Sequence, residues 1–435
     1  MTTLLSEVIG TLTSRERLLG RLRVSLFRNA IYLMISNALT GAFGLVFWLV
    51  AAKFYVTEDV GLASAAISAM LLLSLLANFG LDYALIRFLP GSGKDSKALV
   101  NSCLTITALA SVIIALIFIA GLSFWSPALL FMRKDAVFLC AFVVSTVGWT
   151  AYWVIVRTFI AGRRSDFSLA QGIIFNLLRL ALVIVFASFV AAFGIFVSWG
   201  IAALVAFSIG ALVLLPRVQS GYRPLPVIKW QVMKEMMHFS FSNYIASLLW
   251  YAPALVLPLM VVNLVGAEAN AYFYIAWSIA SVLFAIPLSV SFSLFAEGSH
   301  SEGELSRNIR RSLIFTFVVV VPAILLIVLI GDKLLLLFAP DYAENSHNLL
   351  RVLAVSAAPL SLNYIYFAAK RVEMRMKGVV ILSAFITIAT LSLSWLLLAW
   401  MGVVGVGIAW LSSQSVAALA LIIRWRPLTG RQSSG

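Results

Sequence analysis

Arg179 lies near the middle of an apolar stretch, Phe167 to Val190, in the run Asn176-Leu177-Leu178-Arg179. A cation at that depth of a bilayer costs at least ~2.5 kcal/mol on insertion scales, so it must face a wet cavity or a partner. Asn176 stands three residues before it and Gln171 eight before, which makes one face of that helix polar among apolar neighbours. A planar guanidinium engages phosphate or pyrophosphate through paired hydrogen bonds, and the functional reading is a cavity arginine for such a group. The alternative is a structural arginine held by helix carbonyls or polar side chains.

Asp82 and Arg87 come next, at the inner end of another apolar stretch. Five residues is a poor pairing distance on a helix, so they are expected to straddle a helix end and contact other segments, as gate residues or as plain interfacial charges. Asn37, Asn78, Asn243 and Asn363 lie within or at the edge of apolar stretches. They either line a cleft or join helices by hydrogen bonds. Pro253 and Pro258 fall in one stretch, where lost backbone donors predict a bent or partly broken helix and a candidate hinge.

Catalytic chemistry finds little support. Glu58-Asp59 is the best acidic pair, either a base or metal holder of a membrane glycosyltransferase or the acidic first turn of a helix beginning near Thr57. Glu268 stands at the equivalent place later in the chain and favours the helix-start reading. His238, His300 and His347 sit at stretch edges without a Cys, Ser or acid at a telling distance. Cys103 and Cys140 form neither a disulfide framework nor a metal-ligand spacing. No enzyme activity, metal or cofactor is expected.

The elements that must position these residues are membrane helices. With 62% hydrophobic and 11% charged residues, the chain is far too apolar for a soluble globule. Twelve stretches reach or approach the ~20 residues that span a hydrocarbon core. They run from 30 to 52, 60 to 80, 98 to 120, 136 to 160, 167 to 190 and 193 to 215, and then from 239 to 262, 270 to 295, 312 to 330, 349 to 369, 378 to 400 and 403 to 423. The expected fold is an all-α integral membrane protein with two six-helix lobes, 30–215 and 239–423. A basic segment 1–29 precedes them, a linker 216–238 with a short surface helix joins them, and a tail 424–435 follows. Leu4, Leu5, Val8, Leu18 and Leu19 interleave with arginines in the first segment, which reads as an amphipathic surface helix or as a frayed basic tail.

The net charge of +14 reflects orientation. The loops and stretch ends taken as outward carry Lys53, Arg133, Lys134, Lys333 and Arg351; apart from Arg179, all the others fall in inward segments or, like Arg157, near the inner end of a stretch. That asymmetry predicts that both termini face the cytoplasm, and it removes the nucleic-acid reading of the basic excess.

The two halves also repeat. A shift of about 210 residues places Glu58 on Glu268, Ala66 on Ala276, Ser68 on Ser278, Leu73 on Leu283 and Lys97 on Arg307. With small changes of offset, Arg157 and Arg164 fall on Lys370 and Lys377, and Gly200-Ile201-Ala202 on Gly407-Ile408-Ala409. An even number of spans per half makes the repeats parallel, with the binding cleft expected between them.

The stretch Asn37 to Pro90, with Phe47-Trp48-Leu49, Glu58-Asp59-Val60-Gly61-Leu62-Ala63-Ser64-Ala65 and Asn78-Phe79-Gly80-Leu81-Asp82-Tyr83-Ala84-Leu85-Ile86-Arg87-Phe88-Leu89-Pro90, resembles polysaccharide biosynthesis proteins. These belong to the multidrug, oligosaccharidyl-lipid and polysaccharide flippase superfamily. The glycine-rich last span, Gly402 to Trp410, extends the likeness. The resemblance implies a MATE-like fold in the cell inner membrane. It also implies translocation of a polyprenyl-pyrophosphate-linked glycan between leaflets, with Arg179 serving a cationic cavity. Membrane lipids, that glycan and other polysaccharide assembly proteins are the expected partners. Two departures count against neighbouring readings. Drug and cation antiporters of the superfamily rely on embedded carboxylates, and no Asp or Glu stands mid-span here. Lipid II flippases carry fourteen spans, more than this chain can hold.

Overall fold

The computed structural model describes residues 25–188, 192–298, 305–373 and 375–424. The basic N-terminal segment up to residue 24, with its expected surface helix, and the tail beyond 424 lie outside the described residues.

Twelve α-helices of eight residues or more organise the rest: α1 Ser25–Phe54, α2 Thr57–Asn78, α3 Leu81–Phe88, α4 Ser96–Ala120, α5 Ala136–Ala161, α6 Ser165–Ala187 and α7 Ala192–Ile209. They continue with α8 Trp230–Leu264, α9 Ala267–Gly298, α10 Leu305–Leu336, α11 Pro340–Val372 and α12 Met376–Arg424. Among them are 11 helices long and apolar enough to cross a membrane. The last, α12, is two spans in one: Gly402 interrupts it at φ 56, ψ −144, a conformation that only glycine adopts without strain. Twelve crossings therefore stand where the apolar stretches put them. In hydrocarbon only helices satisfy every backbone donor within the segment, hence the absence of strands among the described residues.

In the first half α1 packs on α6, α6 on α7, α7 on α5 and α5 on α4; in the second, α11 is the hub for α9, α10 and α12. The halves meet where α2 packs against α8 and α9, and α3 against α8. Burial follows this plan, with 72% of the apolar window of α2 buried and only 17% of that of α10. Gly61, Ala63, Ser64, Ala65, Ala66, Ser68 and Ala69 form the buried first part of α2, small enough for neighbouring backbones to come close. Ile314, Phe315, Val318, Leu325 and Leu329 of α10 stay exposed, as lipid-facing residues do. A hydroxyl chain ties the first half together: Ser111 donates to Thr150 at 2.9 Å and Thr150 to Ser74 at 2.9 Å, joining α4, α5 and α2.

Three expectations need correction. Helix α8 begins at Trp230 inside the expected linker, because Met233 and Met236 are buried apolar residues that pack with Leu81, Leu85, Leu99 and Tyr222. The short surface helix of the linker is therefore the start of α8. Of the bent or partly broken helix expected at Pro253 and Pro258, the break is absent: α8 runs continuously through both. The second apolar stretch ends at Asn78, and Phe79 and Gly80, both left-handed at φ 50 and φ 75, turn the chain into the separate helix α3.

Candidate functional site

Arg179 projects from α6 into the first half, 2% exposed. Its guanidinium carbon lies 4.5 Å from the ring centre of Trp199 on α7, 4.8 Å from Phe175 and 5.1 Å from Phe47 on α1. Phe175 is there because it stands one helical turn before Arg179 on the same face. Trp199 sits 5.6 Å from Phe47 and 5.6 Å from Phe175, so the rings pack on each other as well as on the cation. Tyr152 of α5 and Tyr274 of α9 are within electrostatic range, and Tyr274 packs on Trp48 at 4.6 Å. The second half thus contributes to the wall around a residue of the first.

The cation has no charged partner: among the described residues no carboxylate pairs with Arg179, and its Nε has no acceptor. Ring faces stabilise a desolvated cation by about 0.5 to 2 kcal/mol each. They do not accept the in-plane N–H bonds, and an unmet buried donor costs ~1–3 kcal/mol, more when charged. A cage that holds the charge yet leaves a donor open suits an acceptor supplied from outside the protein.

Asn176 and Gln171 share the buried face of α6 with Arg179. Asn176 donates to the Gly172 carbonyl at 2.7 Å and Gln171 to the Ala206 carbonyl at 3.3 Å, and the amide oxygen of each has no partner. Asn37 is exposed on α1. Asn78 accepts from the Asp82 amide at 3.0 Å and so stabilises the turn into α3. Asn363, fully buried, donates to the Gln414 side chain at 2.6 Å and joins α11 to α12. The side chain of Asn243 lies outside the described residues.

Asp82 and Arg87 do not straddle a helix end, because both lie within α3, in its first and last turns; Asp82 does contact another segment, its partner being Arg157 of α5 at 3.5 Å. Arg157 also lies over the rings of Tyr83 at 5.7 Å and Trp153 at 5.2 Å. Across the junction, Ser247 of α8 donates to the Tyr83 hydroxyl at 3.2 Å.

The halves touch near both membrane faces. Near the face that carries few charges, Asn270 of α9 donates to the Gly61 carbonyl at 2.8 Å and to Ser64 at 3.0 Å. Asn263 of α8 donates to Ser126 at 3.1 Å and accepts from the Ala128 amide at 3.0 Å. A β-carbon on Gly61 would lie 1.7 Å from the Ala267 carbonyl oxygen, so this approach is possible only for glycine. Beside it, Glu58, Glu268, Tyr272 and Asn345 line a cavity of about 620 Å³. Both acids sit in first helical turns, as the dipole reading requires. Near the charge-rich face, Tyr244 of α8 donates to the Leu76 carbonyl at 3.1 Å. The aromatic cage, Arg157 and the Gly61 contact were not singled out from the sequence. The signals that could have found them are the position of Phe175, four residues before Arg179, and the repeat match of Arg157 with Lys370.

Residues 26–297, well over half of the 435, match the family model for polysaccharide biosynthesis proteins. A putative O-antigen transporter of Shigella flexneri is 26% identical over 203 residues, 45% of this chain and 47% of that protein. The aligned segment thus spans about half the length of that relative. Among solved structures, the lipid II flippase MurJ in an inward closed conformation superposes with a TM-score of 0.74 at 11% identity, covering 90% of this chain and 87% of that one. An inward-facing multidrug resistance transporter of the MATE family and MOP superfamily gives 0.64 at 16% identity, covering 94% of this chain and all of that one. These two likenesses are likenesses of fold.

Proposed function

The chain belongs to the polysaccharide biosynthesis protein family, and from that premise we propose that it is a flippase for a polyprenyl-pyrophosphate-linked oligosaccharide in the cytoplasmic membrane. The observation that carries this reading is Arg179, a caged cation in a membrane helix with an open donor and no acid beside it. Pyrophosphate is the acceptor such a group suits. A sugar headgroup cannot cross hydrocarbon unaided, because every polar group would lose its water. The two halves, 30–215 and 239–423, would open alternately around the cleft while the lipid tail stays in the bilayer. The Shigella relative, a putative O-antigen transporter by description, supports a lipid-linked glycan, and the charge asymmetry supports cytoplasmic termini.

The test uses inverted membrane vesicles with and without the protein, loaded with a radiolabelled polyprenyl-pyrophosphate oligosaccharide and challenged with external glycosidase. Protein-dependent protection is expected. Lack of protection across several lipid-linked glycans would overturn the reading and turn attention to drug antiport.

A further inference from the structure

The linker between the halves carries a surface that the reading of Arg179 leaves unused. Residues 217 to 234 hold four basic residues, Arg217, Arg223, Lys229 and Lys234, and no acid; the first acid beyond them is Glu235. All four cations are exposed. Interleaved with them, Leu225, Ile228 and Trp230 are 56, 46 and 67% exposed.

The segment is clamped to the first half. From Tyr222 to Lys229 the backbone is neither helix nor strand, and four contacts fix it against the start of α4. The Tyr222 hydroxyl donates to the Asn101 side chain at 2.7 Å, and Asn101 donates to the Arg223 carbonyl at 2.9 Å. The Lys229 amide donates to the Ser102 hydroxyl at 3.0 Å, and the Lys229 ammonium pairs with Asp95. Gly221, left-handed at φ 71, lets the chain pass so near that a β-carbon there would lie 3.4 Å from the Lys97 ammonium. A β-carbon on Gly162 would lie 3.5 Å from the Val218 side chain, which brings the exposed Arg163 of the turn between α5 and α6 alongside. Of these cations only Lys229 has a carboxylate partner among the described residues.

A backbone without helical hydrogen bonds cannot enter hydrocarbon, and exposed Leu, Ile and Trp side chains are disfavoured in water. Pro224 and Pro226 lower the first cost by removing two donors, but the carbonyls remain. The place that suits both properties is the membrane–water interface, where tryptophan collects and basic side chains meet lipid phosphates.

We propose that this strap is a docking surface for the anionic phospholipid headgroups of the leaflet at the charge-rich face. Arg163, Arg217, Arg223 and Lys234 meet the phosphates, and the three apolar side chains insert beneath them. Charge complementarity selects the lipid class, since each cation near an anionic surface favours it by about fivefold. Met233 and Met236 of α8 are buried against the first half, so docked lipids hold that half and the start of α8 at one depth, and the second half moves against them. The surface does not rest on the flippase reading.

The test uses the full-length protein in nanodiscs, with Cys103→Ala and Cys140→Ala and a single fluorophore on Leu225→Cys or Ile228→Cys. The probes are phosphatidylglycerol and phosphatidylcholine, each carrying a nitroxide quencher near the top of one acyl chain, at equal low mole fraction in a phosphatidylcholine bilayer. Both labels should be quenched, and phosphatidylglycerol should quench about fivefold more effectively or better at low salt. The preference should vanish at 1 M salt, where charges are screened within about 3 Å. It should also fall to near parity when Arg163, Arg217, Arg223 and Lys234 are all replaced by Gln, and persist when the three arginines are replaced by Lys. These side chains are exposed, and monodisperse elution of each variant checks that the fold is kept. Equal quenching by the two lipids in the parent protein, or a preference unchanged in the Gln variant, overturns the docking surface. Quenching by aqueous iodide but by neither lipid overturns it as well, by placing the strap in water. Transport is not read in this experiment, so its failure leaves the flippase reading standing, and failure of the vesicle assay leaves the docking surface standing.

Discussion

A residue can be charged, buried and unpaired only if something outside the chain completes it or something inside offsets it, and Arg179 shows both conditions at once. Trp199, Phe175 and Phe47 offset part of the desolvation, and the Nε remains open. Arg179→Ala is therefore expected to abolish glycan protection in the vesicle assay with little loss of protein from the membrane; disappearance of the protein would mean that the arginine is structural. Arg179→Lys is the sharper variant. A compact ammonium keeps the charge but lacks the planar fork, so transport should fall at least tenfold while folding persists. Trp199→Ala removes one ring contact, worth about 0.5 to 2 kcal/mol, and should weaken thermal stability and transport together.

Among the elements, α2 carries the contact between the halves, and its small residues allow it. Replacing Gly61 by Val puts a side chain where the Ala267 carbonyl now lies, so α2 and α9 cannot close at the charge-poor end. The expected outcome is lost transport and raised labelling of cysteines placed near that end by an impermeant thiol reagent. Asn270→Ala should act the same way more mildly. It removes donors to Gly61 and Ser64, at a cost of about 1–3 kcal/mol to the closed arrangement. Labelling that stays at the wild-type level in both variants would mean that this contact does not gate the cleft. In α8 the prolines leave the helix continuous, so Pro253→Ala should keep the fold, and a transport rate equal to wild type would remove Pro253 as a hinge.

For the whole molecule, alternating opening requires that the two halves separate. Ser126 and Asn263, joined at 3.1 Å across the charge-poor end, offer a lock. A double cysteine replacement at these positions, in a background where Cys103 and Cys140 are removed, should stop transport when oxidised and recover it on reduction. Full activity of the oxidised protein would exclude separation at that end as part of the cycle. The α2 contacts, the repeat of Glu58 with Glu268 in equivalent first turns, and the break at Gly402 all fit two related bundles meeting along one seam.

The number of crossings, the all-helical class and the break between the last two spans were legible in the sequence. Hydrocarbon thickness and backbone satisfaction act on local composition, which a single chain displays directly. Arg179 was legible for the same reason, since a charge among apolar residues is visible without a fold. Its aromatic walls were not, because Phe47, Trp199 and Tyr274 come from three other helices and look like ordinary lipid-compatible residues in sequence. Asp82 was expected to contact another segment, and the fold supplies which one, Arg157 on α5; Asn78 and Asn363 were open between lining and joining, and only the fold shows Asn78 holding a turn and Asn363 tying α11 to α12. Composition and period determined which segments enter the membrane and which residue does not belong there. Which side chains meet was decided by helix packing between segments from about twenty to more than a hundred residues apart, a term that no local pattern encodes.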